Sequence, residues 1–169
     1  LGDGRGESGP VAGGATCVEP EFLEAASLVN PSKAGSPGGG ACLLLFGRGG
    51  AAEIAGGRQV LGYGEGFGSD AVRDAIQACL SDAAIAPDSV GAVRAAAVCD
   101  RSALVRALRA AGVSAAIERS PSSDLWAASF PLAVAEAVEP PTPGTRLPIL
   151  VVGSDCLAGA VAAVVQGTL

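Results

Sequence analysis

Three groups of residues in this sequence have the type and spacing to do chemistry: two glycine-rich loops, five cysteines, and a thin scatter of carboxylates and arginines. The first loop, GSPGGGACLLLF over 35–46, resembles a phosphate cradle feeding an apolar strand. A Walker loop needs a lysine and a hydroxyl residue after its last glycine, to reach the phosphates and the metal. Here Gly40 is followed by Ala41 and Cys42. A dinucleotide fingerprint needs glycines that follow a strand and open a helix, whereas these follow a loop and open a strand. The second loop, GYGEGFG over 62–68, does follow a strand and precede a helix. Its spacing nevertheless sets Tyr63 and Phe67 where backbone would have to approach a ligand. Both loops read as structural turns, and no cofactor is expected.

The cysteines, Cys17, Cys42, Cys79, Cys99 and Cys156, are odd in number, widely spaced and set within apolar stretches. No C-x-x-C occurs and histidine is absent, so a zinc site would need thiolates and carboxylates without the usual paired spacing. The expectation is no metal, and small buried hydrophobes in a reducing, cytoplasmic compartment. Eleven basic residues against 17 acidic ones leave a net charge of −6. A sequence-independent nucleic-acid surface needs clustered Lys and Arg, so no nucleic-acid partner is expected. No apolar run approaches 18 residues and no signal-peptide pattern occurs, so no membrane span is expected either.

The elements that would position any site follow from composition and periodicity. At 169 residues, with 49% hydrophobic and 17% charged residues, the chain fits one domain whose elements are covered on most faces. That favours α/β layering around an internal sheet. Aromatics are 4%, so the core packs through Ala, Val and Leu, by close backbone approach. PVAGGA (10–15) is extended, and EPEFLEAASLV (19–29) has helical spacing. ACLLLF (41–46) reads as a strand covered on both faces, and RQVLGYGEGFG (58–68) as a strand entering a turn. Ser69 is expected to cap a helix whose stripe is Val72, Ala75, Ile76, Cys79, Leu80 and Ala83, closed by APDSV. GAVRAAAV (91–98) is a strand, DRSALVRALRAAG a helix capped by Asp100 and stopped by Gly112, and VSAAIE (113–118) the next strand. SDLWAASFPLAVAEAV reads as a helix interrupted by Pro131. LPILVVG (147–153) and GAVAAVVQ (159–166) are strands joined by SDCLA. So tight a connection makes the last pair antiparallel, and the sheet mixed.

In that order, GRGESGPVAGGAT, FLEAASLV, GSPGGGACLLLF, VLGYGEGFGSD and AIQACLSDAAIAPDSVGAV resemble the β-ketoacyl synthases of the thiolase-like fold, from Gly2 to about Val165. The resemblance implies a layered α/β domain with a mixed five-stranded-type sheet, corresponding to roughly the second half of a ketosynthase. Residues 1–50 would end the N-terminal half, and 51–169 would form the C-terminal half. It also implies that the family's nucleophilic cysteine lies upstream of Leu1. The absence of methionine and the polar opening LGDGRGESG accord with a chain that starts within something larger. None of the five cysteines falls at the nucleophile's position.

The family's first catalytic histidine, in A-H-G-T-x-T, matches Ala96 of RAAAVCDRS. Its lysine and second histidine, in K-S-x-x-G-H-x-x-G-A-A-G, match Arg119 and Asp124 of RSPSSDLWAASF. Its closing S-F-G-F-G-G-T-N-A turn matches SDCLAGAVA, with Leu157 near the gate and Gly159 keeping a glycine. Trp126 and Phe130, at i and i+4, could line an acyl tunnel or pack a core or subunit interface. Asp124 could be a base, though SSDLW is good capping sequence. Arg119 could bind an anion or pair with Asp124 or Glu118. Arg94, Arg106 and Arg109 could meet an acidic acyl carrier protein or form a solvated face, and Glu136 and Glu139 are expected to be exposed.

The resemblance implies 3-oxoacyl-[acyl-carrier-protein] synthase activity, but no catalytic residue of that reaction is intact here. The expectation is a catalytically degenerate subunit working with a ketosynthase-like homo- or heterodimer partner in fatty-acid or polyketide biosynthesis, in the manner of a chain-length factor. The alternatives are the C-terminal half of a condensing enzyme completed by a separate N-terminal part, and an unrelated α/β small-molecule binding module.

Overall fold

The computed structural model describes residues 10–15, 40–45, 52–60, 67–96, 101–119, 129–138, 147–154 and 159–167. The expected helix over 19–29, and Asp100, lie outside them. The apolar runs become strands β1 (Pro10–Ala15), β2 (Gly40–Leu45), β3 (Ala52–Val60), β4 (Ala92–Ala95), β5 (Ala116–Arg119), β6 (Ile149–Ser154) and β7 (Ala160–Gly167). The periodic segments become helices α1 (Phe67–Asp82), α2 (Arg101–Ala110) and α3 (Ser129–Val138). None of these helices is long and apolar enough to cross a membrane.

Two sheets result. β1 pairs antiparallel with β2, and the other five strands run in the order β3-β7-β6-β4-β5. β6, β4 and β5 are parallel, while β7 is antiparallel to both β6 and β3. The mixed sheet is the one the short 147–166 connection requires. The crossover from β4 to β5 runs in one direction, and the return from β5 to β6 runs in the other, past β4. A right-handed crossover then puts the two linking helices on opposite faces. Accordingly α2 joins α1 on one face and α3 covers the other.

The first face buries the α1 stripe, Val72, Ala75, Ile76, Cys79 and Leu80, with Leu104 and Leu108 of α2, against Val93, Leu150, Val152, Ala162 and Val164. Each fully buried Leu, Ile or Val there contributes about 1.5–3 kcal/mol. The second face is built smaller: Ala92, Ile149, Val151, Ala163 and Val165 meet Ala133, Val134 and Ala137 of α3. That helix also contacts β2, so it touches both sheets.

Some boundaries differ from the sequence expectation. α1 begins at Phe67, so Ser69 is inside its first turn and is not its cap. It also ends before APDSV: Ala84 takes a φ of 53°, and the Ile85 N–H reaches the Leu80 carbonyl. α2 closes in the same way, through Gly112 at φ 81° and a bond from the Val113 N–H to the Leu108 carbonyl. Pro131 falls in the first turn of α3, where a missing N–H costs little, and does not interrupt the described helix. β3 starts well before Arg58, because residues 52–57 are carried into the ladder by pairing with β7 in spite of two glycines.

The first of those glycines is required by contact. The register shifts between Ile54 and Gly56, and a Cβ on Gly56 would lie 2.7 Å from the Cys79 carbonyl oxygen and 3.0 Å from Ala83 Cβ. A Cβ on Gly57 would meet nothing within 4 Å. Gly56→Ala is therefore expected to lower stability by about 1–3 kcal/mol, since α1 must be pushed off the strand. Gly57→Ala should be neutral or gain a few tenths of a kcal/mol from a stiffer unfolded chain. Denaturant midpoints of the two variants check the contrast, and equal midpoints would contradict this packing.

Candidate functional site

The chain leaves β4 toward β5 and leaves β6 toward β7, in opposite directions along the sheet. The carboxyl ends of adjacent strands that diverge in this way are where open α/β sheets bind ligands. The β4–β6 ladder runs up to Ala95 opposite Val152, and the Ala96 N–H then donates to the Val152 carbonyl at 2.8 Å. Ala96 is therefore held at the carboxyl end of β4, beside that divergence, and is 2% exposed.

Its neighbours are defined through Gly153. A Cβ built on that glycine would stand 3.1 Å from Phe130 Cδ2 and 3.4 Å from both Ala96 Cβ and Val161 Cγ1. Gly153 is the floor on which three elements converge: the end of β4, the start of β7 and the first turn of α3. None of these four residues carries a titratable group or a side-chain hydrogen-bond donor. The arrangement excludes water. The side chains of these four residues neither move a proton nor donate to an oxyanion.

The structure thus brings Ala96 and Phe130 together. Gly159, also singled out from the sequence, is buried directly before β7 at φ 129°, a conformation only glycine takes easily. Arg119 is the last residue of β5, opposite Ala95 in the ladder. Its side chain, and all of Asp124, Trp126 and Leu157, lie outside the described residues. Sequence reasoning missed Gly153 and Val161. The only trace of Gly153 was a glycine ending the apolar run LPILVVG.

Two residues back from Ala96, on the same face of β4, sits a charged clamp. Arg94 is directly opposite Glu118 of β5, and its guanidinium Nη2 donates to Glu118 Oε2 at 2.8 Å. Its Nη1 is 3.6 Å from Glu136 Oε2 on α3. Side-chain exposures are 17% for Arg94, 34% for Glu118 and 27% for Glu136. Two expectations are corrected here. Glu136 is not a freely exposed carboxylate, because α3 lies along the face that β4 and β5 share. Arg94 is not available to a partner protein, because two carboxylates already hold it.

Cys79, buried in the first core, is not a nucleophile in waiting. Burial first, and the Asp82 carboxylate second, push its thiol up to about 11, so it stays protonated at neutral pH. No group of three metal-ligating side chains occurs among the described residues.

Replacing Arg94 by Met leaves two carboxylates facing each other in a half-dry layer. The expected cost is about 2 kcal/mol, a fall in Tm of roughly 4–8 °C for a chain of this size. Adding Glu118→Gln should restore part of the loss by removing the repulsion. Thermal melts of the single and double variants check this; a single variant that melts like the parent would contradict the clamp.

No known family profile and no curated protein sequence matches this chain. Solved structures do. The ishigamide ketosynthase/chain length factor superposes with a TM-score of 0.69 at 19% identity, over 98% of this chain and 51% of that one. An oxazolomycin ketosynthase domain of Streptomyces albus JA3453 gives 0.68 at 17%, over 96% and 57%. The 3-oxoacyl-[acyl-carrier-protein] synthase III of Aquifex aeolicus VF5 gives 0.65 at 15%, over 95% and 58%. This chain spans about half the length of the structures it resembles. With its five-stranded mixed sheet faced by helices on both sides, it has the thiolase-like α/β fold of those ketosynthases.

Proposed function

We propose that this chain is a catalytically degenerate ketosynthase-like subunit that acts beside an active ketosynthase in fatty-acid or polyketide biosynthesis and shapes its acyl pocket, as a chain-length factor does. The observation that carries the reading is Ala96, a methyl group at the divergence of β4 and β6. In this reading Ala96 stands where the family keeps its first catalytic histidine.

Decarboxylative Claisen condensation builds negative charge on an enolate oxygen as carbon dioxide leaves. Neutral imidazoles donate hydrogen bonds to that oxygen, each of a kind worth about 3 kcal/mol to a transition state. A methyl group donates nothing, and the sequence contains no histidine to take over the task. Arg119 and Asp124 take the lysine and second-histidine positions in the same motif match. An ionised Asp124 would repel the enolate instead of stabilising it. What remains is an apolar end to a scaffold, suited to bounding a space in which a partner's acyl chain grows. The likeness to a ketosynthase/chain length factor supports pairing with a ketosynthase.

A second reading is favoured by one observation, the half-length match to the solved ketosynthases. In it, this chain is the C-terminal half of a condensing enzyme with altered chemistry, completed by a separate N-terminal part. The mixed sheet counts against an unrelated all-parallel binding module.

The purified chain, given malonyl-carrier protein with labelled carboxylate, is expected to release carbon dioxide no faster than buffer alone. Release at a rate comparable with an active ketosynthase overturns the degenerate reading. Release that appears only when an upstream polypeptide is added transfers support to the second one.

A further inference from the structure

The face of the domain farthest from β3 combines three features that no helix-packing requirement explains. The first is a free edge: β5 pairs with β4 on one side and, among the described residues, with no strand on the other. Its outer N–H and C=O groups form a ready template for an extended segment. The second is a groove of about 460 Å³ beside that edge, lined by Val105, Leu108, Arg109, Val113, Ala115 and Ile117. Gly112 and Ser114 complete the lining, so Arg109 and Ser114 are its polar side chains and the rest is apolar or glycine. The third is charge. Of the arginines whose side chains are described, Arg58, Arg73 and Arg94 each hold a carboxylate. Arg101, Arg106 and Arg109 of α2 are exposed and hold none among the described residues.

These three stand on a helix with no acidic residue of its own, in a protein of net charge −6. Arg109, in the last turn, suits the helix dipole. Arg101, in the first turn, opposes it. Helix stability therefore does not account for the pattern. Arg101, Val105 and Arg109 recur every four residues, so they lie along one stripe about 12 Å long that borders the groove.

We propose that this edge is a docking site for an extended, acidic segment of a partner protein. Its backbone adds to β5 as an outer strand, its apolar side chains enter the groove against Leu108 and Ile117, and its flanking carboxylates meet Arg101 and Arg109. A second copy of this chain is a poor occupant, because a two-fold axis at the β5 edge would bring both sets of arginines to one seam. Inorganic phosphate would use the arginines but has no use for the groove or the strand edge. The site is separate from the carboxyl ends of β4 and β6 and stands whether or not the functional reading above holds.

The test uses the full chain and a fluorescein-labelled peptide with a Val-Ile-Val centre flanked by glutamate pairs, read by polarisation. Amide exchange over 116–119 is followed in parallel. The glutamate peptide is expected to bind and to slow exchange at β5. The same peptide with flanking lysines should not bind. The double variant Arg101→Glu and Arg109→Glu, both at exposed positions, should bind about tenfold or more weakly, as expected for two reversed surface pairs. Unchanged binding by that variant or by the lysine peptide, unchanged exchange at β5, or no binding of the glutamate peptide overturns the proposal. So does displacement of the peptide by phosphate at matched ionic strength, or a peptide-free dimer through this edge in sedimentation.

Discussion

Strand β6 has no face left for water. Every residue from Ile149 to Gly153 is buried, and β7 beside it buries Ala162 to Val165. A sheet centre that is dry on both sides must be clad on both sides, and the rest of the fold follows from that demand. Leucines and valines on one face take the broad α1–α2 layer. On the other face, Ala92, Ala163 and Gly153 interrupt the larger Ile149, Val151 and Val165, and Gly153 lets Phe130 of α3 come close to the sheet. The close approach is also what allows Arg94 to span from the sheet to Glu136. A charge in that layer is tolerable only because two carboxylates compensate its desolvation.

Much of this was legible in the sequence because the core is written in period. The α1 stripe from Val72 to Leu80 was read from spacing alone, and those positions are buried. The antiparallel 147–166 pair, and hence the mixed sheet, followed from a connection too short to cross over. Gly112 announced the end of α2. What was not legible depends on partners distant in sequence. β3 is drawn into the sheet over residues 52–57 by pairing with β7, against the local preference of its glycines. The Arg94 clamp arises from the register between β4 and β5, which sets residues 24 apart side by side. Gly153 matters through what it lets Phe130 do, and a lone glycine at a strand end carries no sign of that.

The candidate site was half legible. Ala96 was marked by motif resemblance and stands, in the structure, at the divergence of β4 and β6. Its surroundings are those of a closed apolar contact: a methyl, a ring edge and a valine meeting over a glycine.

The central claim is that this scaffold bounds a partner's product and does not make one. The most direct measurement is the product-length distribution of an active ketosynthase that co-purifies with this chain, assayed with carrier protein in the presence and absence of the chain. The account predicts that adding the chain narrows and shifts the distribution, and that the chain alone yields no condensation product. An unchanged distribution, or condensation by the chain alone, would contradict it.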